Sequence, residues 1–117
     1  MGTYRQYCPV ARASEVLAER WTPLILRDML QGASTFSEIA AGSPGISRTT
    51  LATRLRNLQR AGVVQATSNP SGRGSRYHLT EAGKDLGNVM VALGTWGERW
   101  IELTPEQVAT CIDELGF

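Results

Sequence analysis

The chain has 117 residues, 42% apolar and 20% charged, with a formal net charge of +1, which is enough for one compact domain and too little for two ordinary ones. No apolar run is long enough to span a bilayer, and the stretch from Met1 to Tyr7 lacks the apolar segment of a secretory signal, so the expected location is cytoplasmic, away from membranes. Two cysteines near opposite ends, Cys8 and Cys111, and a single histidine, His78, encode neither a disulfide framework nor a zinc site, and no cofactor is expected.

Pro9 suits a first helical position, and Val10, Ala13, Val16 and Leu17 follow at spacings of three and four, which predicts an amphipathic helix over 9–19. Thr22-Pro23 repeats the start signal for a second, largely apolar and central helix that stops at Gly32. Residues 33–36 fit a short extended piece. Ser37 to Ala41 then forms a small helix closed by Gly42, and Ser43-Pro-Gly45 is a turn. Ser47 caps a polar-faced helix from Arg48 to Ala61, ended by Gly62. At 100° per residue, Leu51, Leu55 and Leu58 share one stripe, and Thr49, Thr53, Arg56 and Arg60 lie opposite.

Val63 to Ser68 and Arg76 to Leu79 read as strands, joined by the turn-rich tip Asn69-Pro-Ser-Gly-Arg-Gly-Ser75. Thr80 caps a further helix with Leu86, Val89, Met90, Leu93, Trp96 and Trp100 on an apolar side, and Thr104-Pro105 opens a last one to about Leu115. The order of helices, strands and glycine-rich loop is that of a winged helix-turn-helix, so the expected class is α+β and mostly helical.

The near-neutral average conceals an asymmetry. Between Ile39 and Thr80 there are six arginines (Arg48, Arg54, Arg56, Arg60, Arg73, Arg76) and no carboxylate. Residues 1–38 balance four arginines against four acids, and residues 81–117 set Lys84 and Arg99 against seven acids. A cationic face of this kind attracts phosphate and is the electrostatic footprint of a nucleic-acid binder.

A helix read in the DNA major groove needs a polar outer face without acids. Arg48, Thr49, Thr50, Thr53, Arg56 and Asn57 supply one: Arg for guanine, Thr for the thymine methyl, Asn for adenine. Ser47 and the first amides of the helix suit a phosphate, as do Arg73 between its two glycines and Arg76 just beyond. Arg54 lies beside the core stripe, where a structural or phosphate role fits better than base reading.

The apolar stripe Leu86, Val89, Met90, Leu93, Trp96 and Trp100 is expected to form a dimer interface, joined by Tyr4, Tyr7 and the first helix. An isologous dimer would set two recognition helices about one DNA turn apart, on inverted half-sites. Cys8 precedes Pro9 at a helix start, where backbone N–H groups and the macrodipole favour thiolate and hence reactivity. An enzyme is not expected: there is no paired carboxylate in a turn region, no GxxxxGKS/T phosphate loop, and no nucleophile with a histidine base.

Several runs carry a resemblance to a known family: Cys8-Pro-Val-Ala through Trp21-Thr-Pro-Leu-Ile-Leu-Arg27, Phe36-Ser-Glu-Ile, Pro44-Gly-Ile-Ser47, Leu51-Ala-Thr-Arg-Leu-Arg-Asn-Leu58, Ala61-Gly-Val-Val and Tyr77-His-Leu-Thr-Glu-Ala-Gly83. Over roughly residues 5–100 the chain resembles the HxlR-type winged helix-turn-helix transcriptional regulators. The resemblance implies a homodimeric bacterial regulator in one 1–117 domain, with the recognition helix at about 47–61, the wing at about 63–79, and dimerisation helices at about 9–19 and 81–115.

It also implies double-stranded DNA as partner and, in some relatives, a cysteine matching Cys8 that senses oxidants or electrophiles. This chain departs from the family in its glycine-rich wing and in holding its second cysteine only in the C-terminal tail. A switch would then use Cys8–Cys8, Cys8–Cys111 or a thiol adduct. The expectation is a DNA-binding repressor, thiol- or ligand-responsive through an unknown oxidant or small-molecule effector. The alternative is a winged-helix protein-interaction module that never meets DNA.

Overall fold

The computed structural model describes residues 7–107 and 109. Helix α1 spans Pro9–Leu17, and Cys8 caps it by accepting the Ala11 N–H on Sγ at 3.3 Å. It stops two residues short of the expected end. Helix α2 spans Thr22–Leu30 and is central as expected, burying Thr22, Ile25, Leu26 and Met29. Its cap is not Thr22 but Trp21, held at φ 79, a left-handed conformation uncommon for a bulky residue. Thr22 is instead swallowed by the fold, its N–H donating to the Glu19 carbonyl at 3.2 Å as the chain reverses between α1 and α2.

Helix α3, Phe36–Ala41, begins one residue early because Thr35 caps it. Thr35 Oγ1 accepts the Glu38 N–H, and the Glu38 carboxylate accepts the Thr35 N–H at 3.0 Å, a reciprocal capping box. The extended piece before it is Ser34–Thr35. Thr35 bridges to Arg76, and the Tyr77 N–H donates to the Ser34 carbonyl at 2.8 Å, adding a rung to the sheet.

Helix α4 spans Arg48–Arg60, with Ser47 Oγ accepting the Thr50 N–H at 3.0 Å and Gly62 turning the chain at φ 77. Strands β1 (Val64–Ser68) and β2 (Ser75–Leu79) pair antiparallel from Val64↔Leu79 to Ser68↔Ser75. Helix α5 spans Glu81–Trp100, capped by Thr80, whose hydroxyl also donates to the Gly62 carbonyl at 2.6 Å. Gly83 is buried, and a Cβ there would overlap the Val63 carbonyl oxygen, so the missing side chain lets α5 settle onto the base of the hairpin.

One core joins these elements: Ile25, Leu26 and Met29 of α2, Ile39 of α3, Leu51, Leu55 and Leu58 of α4, and Val63 and Val64 at the hairpin. The expected leucine stripe of α4 is thus its inward face. Tyr77 and Leu79 face the same core from β2, and Leu86 and Met90 pack against it from α5.

The six apolar residues of α5 expected at a dimer interface divide into two groups in the single chain. Leu86 and Met90 spend surface on their own core, whereas Val89, Leu93, Trp96 and Trp100 are exposed. A 20-residue helix is roughly 30 Å long, and from Val91 onward every residue but Gly97 is exposed. Its second half outruns the body. Beyond Ile101–Thr104, helix resumes at residues 105–107 and 109. The remainder of the expected 105–115 helix, with Cys111, and Tyr4 lie outside the described residues.

Candidate nucleic-acid interface

Three elements carry the arginines. On α4, Arg48, Thr49, Arg56 and Arg60 are exposed, and Thr50, Thr53 and Asn57 are half-buried. Ser47 is engaged in capping, also donating to Thr50 Oγ1 at 2.8 Å, which ties up Thr50 as well. The amides of Arg48 and Thr49 are first-turn donors that a helix does not satisfy internally, and these suit a phosphate oxygen. The Arg48 guanidinium lies 4.9 Å from the centroid of the Phe36 ring on α3, which fixes it at the edge of the helix start.

The hairpin tip is ordered by Asn69. Its Oδ1 accepts the Ser71 N–H, its carbonyl accepts the Gly72 N–H at 2.8 Å, and its own N–H donates to the Gly74 carbonyl. Gly72 at φ 78 and Gly74 at φ 68 use left-handed backbone that few other residues adopt, and they present the exposed Arg73 between them. Arg76, at the base of the tip, reaches Ser34 Oγ at 3.4 Å. Arg48 and Arg76 are therefore both anchored on the Ser34–Phe36 segment, one on Phe36 and one on Ser34, so the start of α4 and the wing converge there.

The stretch without acids in sequence is not wholly without them in space. Glu38 lies just outside it, and its carboxylate is held below the usual range by hydrogen bonds from the Ser34 and Thr35 backbone and the Thr35 hydroxyl, with the Arg76 charge adding to them. Arg54 pairs with Glu19 at 2.9 Å and donates through Nε to the Arg20 carbonyl at 2.9 Å. Arg54, expected in a structural or phosphate role, has its guanidinium engaged within the fold. Arg56, Arg60 and Arg73 make no ion pair among the described residues.

Sequence reasoning missed Phe36 and Ser34, which anchor two of the arginines. The Thr35-x-x-Glu38 spacing was a legible signal for the local turn, whereas the Glu19–Arg54 contact leaves no local trace. Cys8 and Tyr7 are exposed at the start of α1. His78 is exposed on β2, paired across the strands with Gln65, and its Nε2 lies 3.2 Å from the hydroxyl of the diagonal neighbour Thr67.

This arrangement of helices and hairpin agrees with comparison to known proteins: the HxlR-like helix-turn-helix family model matches residues 16–105. The chain belongs to that family. Its fold is a winged helix-turn-helix with α5 appended.

An HTH-type transcriptional regulator of Mycobacterium tuberculosis, Rv3095, is 42% identical over 95 residues, covering 79% of this chain and 58% of the relative, so the chain spans little more than half of that protein. The crystal structure of PA1607 superposes with a TM-score of 0.78 at 38% identity, covering 86% of this chain and 70% of that one. The Bacillus subtilis transcriptional regulator YodB matches at 30% identity in its diamide-treated and quinone-bound crystal structures. The diamide-treated form has a TM-score of 0.65 over 85% of this chain, the quinone-bound form 0.68 over 80%, and each is covered completely. Among the described residues, no helix of this family member is long and apolar enough to cross a membrane.

Proposed function

We propose that this protein is a transcriptional regulator that binds duplex DNA in a sequence-specific manner, as a homodimer on inverted half-sites, and represses by occupying its operator. One observation carries the reading: a capped helix exposing Arg48, Thr49, Arg56 and Arg60, next to a glycine-framed Arg73, with no carboxylate on the helix itself. In a major groove, Arg48 and Arg56 reach guanine edges, Thr49 and Thr53 meet thymine methyls, and Asn57 suits adenine. The α4 amides, Arg73 and Arg76 hold sugar-phosphate on either side and set the register.

The exposed stripe of Val89, Leu93, Trp96 and Trp100, with Tyr7, is the proposed seam between subunits. Cys8, exposed at the start of α1, is the proposed point of response to thiol-directed reagents. YodB, solved both diamide-treated and quinone-bound, favours that assignment.

The test is selection of bound duplexes from a random pool, followed by fluorescence anisotropy across salt. Affinity for the selected duplex falls steeply between about 0.05 and about 0.2 M salt, as phosphate neutralisation requires. Absence of duplex binding even at the lower salt would refute the reading and leave a protein-interaction module. Selection repeated with Cys8→Ser after diamide treatment tests the thiol response: the variant keeps binding where the native protein releases.

A further inference from the structure

Among the described residues Arg54 is the one arginine of α4 with an ion pair, and its partners come from the turn between α1 and α2. Its guanidinium donates in two directions, to Glu19 Oε2 and to the Arg20 carbonyl, each at 2.9 Å. Both side chains are mostly buried, at 21% and 16% exposure. The other Glu19 oxygen is buried as well. A phosphate contact by Arg54 would break both bonds and leave a buried carboxylate behind, which is far costlier than leaving an exposed arginine unused.

The same corner also approaches the turn that leads into α4. Trp21, in its left-handed conformation and stacked under Arg20 at 4.8 Å, reaches the Gly45 turn that leads into α4, where its ring edge would lie 4.0 Å from a Cβ. The α1–α2 corner thus holds the middle of the recognition helix through Arg54 and lies near the turn that precedes it. The cavity beside the pair, lined by Val16, Glu19, Arg54 and Asn57 among others, holds about 20 Å³, too little for an organic ligand. What the pair engages is the two helices themselves.

We propose that Arg54 is a positioning residue: with Glu19 it fastens the α1–α2 corner to the recognition helix, so that the orientation α4 presents to DNA follows α1, the helix that Cys8 opens. The inference rests on the DNA-binding reading above. It assigns to Glu19, an acid, a favourable role in binding a polyanion, opposite to what charge alone dictates.

The test measures anisotropy on the selected duplex and a scrambled one, with Glu19→Ala, Arg54→Gln and the double variant, each confirmed folded by circular dichroism. If only charge mattered, Glu19→Ala would tighten binding. Positioning predicts that it weakens the selected duplex by about fivefold or more, with scrambled-duplex affinity unchanged. Arg54→Gln gives a similar loss with the salt slope intact, and the double variant loses no more than either single, because one unit has been removed.

Tighter or unaltered binding by Glu19→Ala, additive losses in the double variant, or a slope reduced by about 0.9 per subunit in Arg54→Gln overturns the proposal. Should Glu19→Ala not fold, Glu19→Gln replaces it, keeping the shape and removing the charge. Failure of the native protein to select any duplex refutes the parent reading instead, so the two failures are distinct.

Discussion

Replacing Trp96 with alanine tests the subunit seam most directly. Trp96 is 59% exposed, on a part of α5 that has left the body of the domain. With about 250 Å² for a tryptophan side chain, that leaves roughly 150 Å² for a partner to cover. At about 25 cal/mol per Å², full coverage stabilises by roughly 3.7 kcal/mol per ring, and a two-fold interface covers two rings. The methyl that alanine retains, and incomplete coverage, cut the difference to about half of that sum, or about 3 to 4 kcal/mol per dimer.

Trp96→Ala should therefore raise the dimer dissociation constant by about 10²- to 10³-fold. Sedimentation equilibrium over a concentration series reads this directly. The monomer fold should be unaffected, because Trp96 contributes nothing to the core cluster; its thermal unfolding at high dilution serves as the control. A native protein that stays monomeric at roughly 100 µM, or a variant that associates as tightly as the native chain, would refute the assignment.

Gly83→Ala places a Cβ into the Val63 carbonyl oxygen and 2.9 Å from Leu79 Cδ2; it should cost about 1–3 kcal/mol in urea unfolding as α5 is pushed off the hairpin, and an unchanged midpoint would mean that this packing is looser than described. Arg73→Ala removes a side chain that makes no ion pair among the described residues, so unfolding should stay constant while the logarithmic salt slope of duplex binding drops by about 0.9 per subunit. An unaltered slope would place the wing away from phosphate. Because the Glu38 carboxylate is held below its ordinary range, its stabilising effect is full above the usual carboxylate range and disappears as pH falls through the lowered value. Glu38→Gln should accordingly be less stable than the native chain at neutral pH and converge with it in acid, as followed by thermal melts. A gap that persists at low pH would show that the capping geometry, and not the charge, matters.

Much of this was legible from residues close together in the chain. Ser47 before a leucine stripe, Gly62 after it, and the turn residues from Asn69 to Ser75 act over a few positions, so α4 and the hairpin were readable, as was the run of arginines without acids. The inward face of α4 followed from its period, because a helix with one apolar stripe has one way to bury it. Other features depend on where separate elements meet. Trp21 takes a left-handed conformation at the join between α1 and α2, which no propensity of tryptophan anticipates. Arg54 finds Glu19 across 35 positions, so the charge pattern along the chain overstates the free cation in space. The α5 stripe was one face in sequence and two in the fold: Leu86 and Met90 meet the core while Trp96 and Trp100 pass beyond it. The helix period determines only which residues share a side, and the point at which the body ends beneath them is set by the size of everything else that packs there.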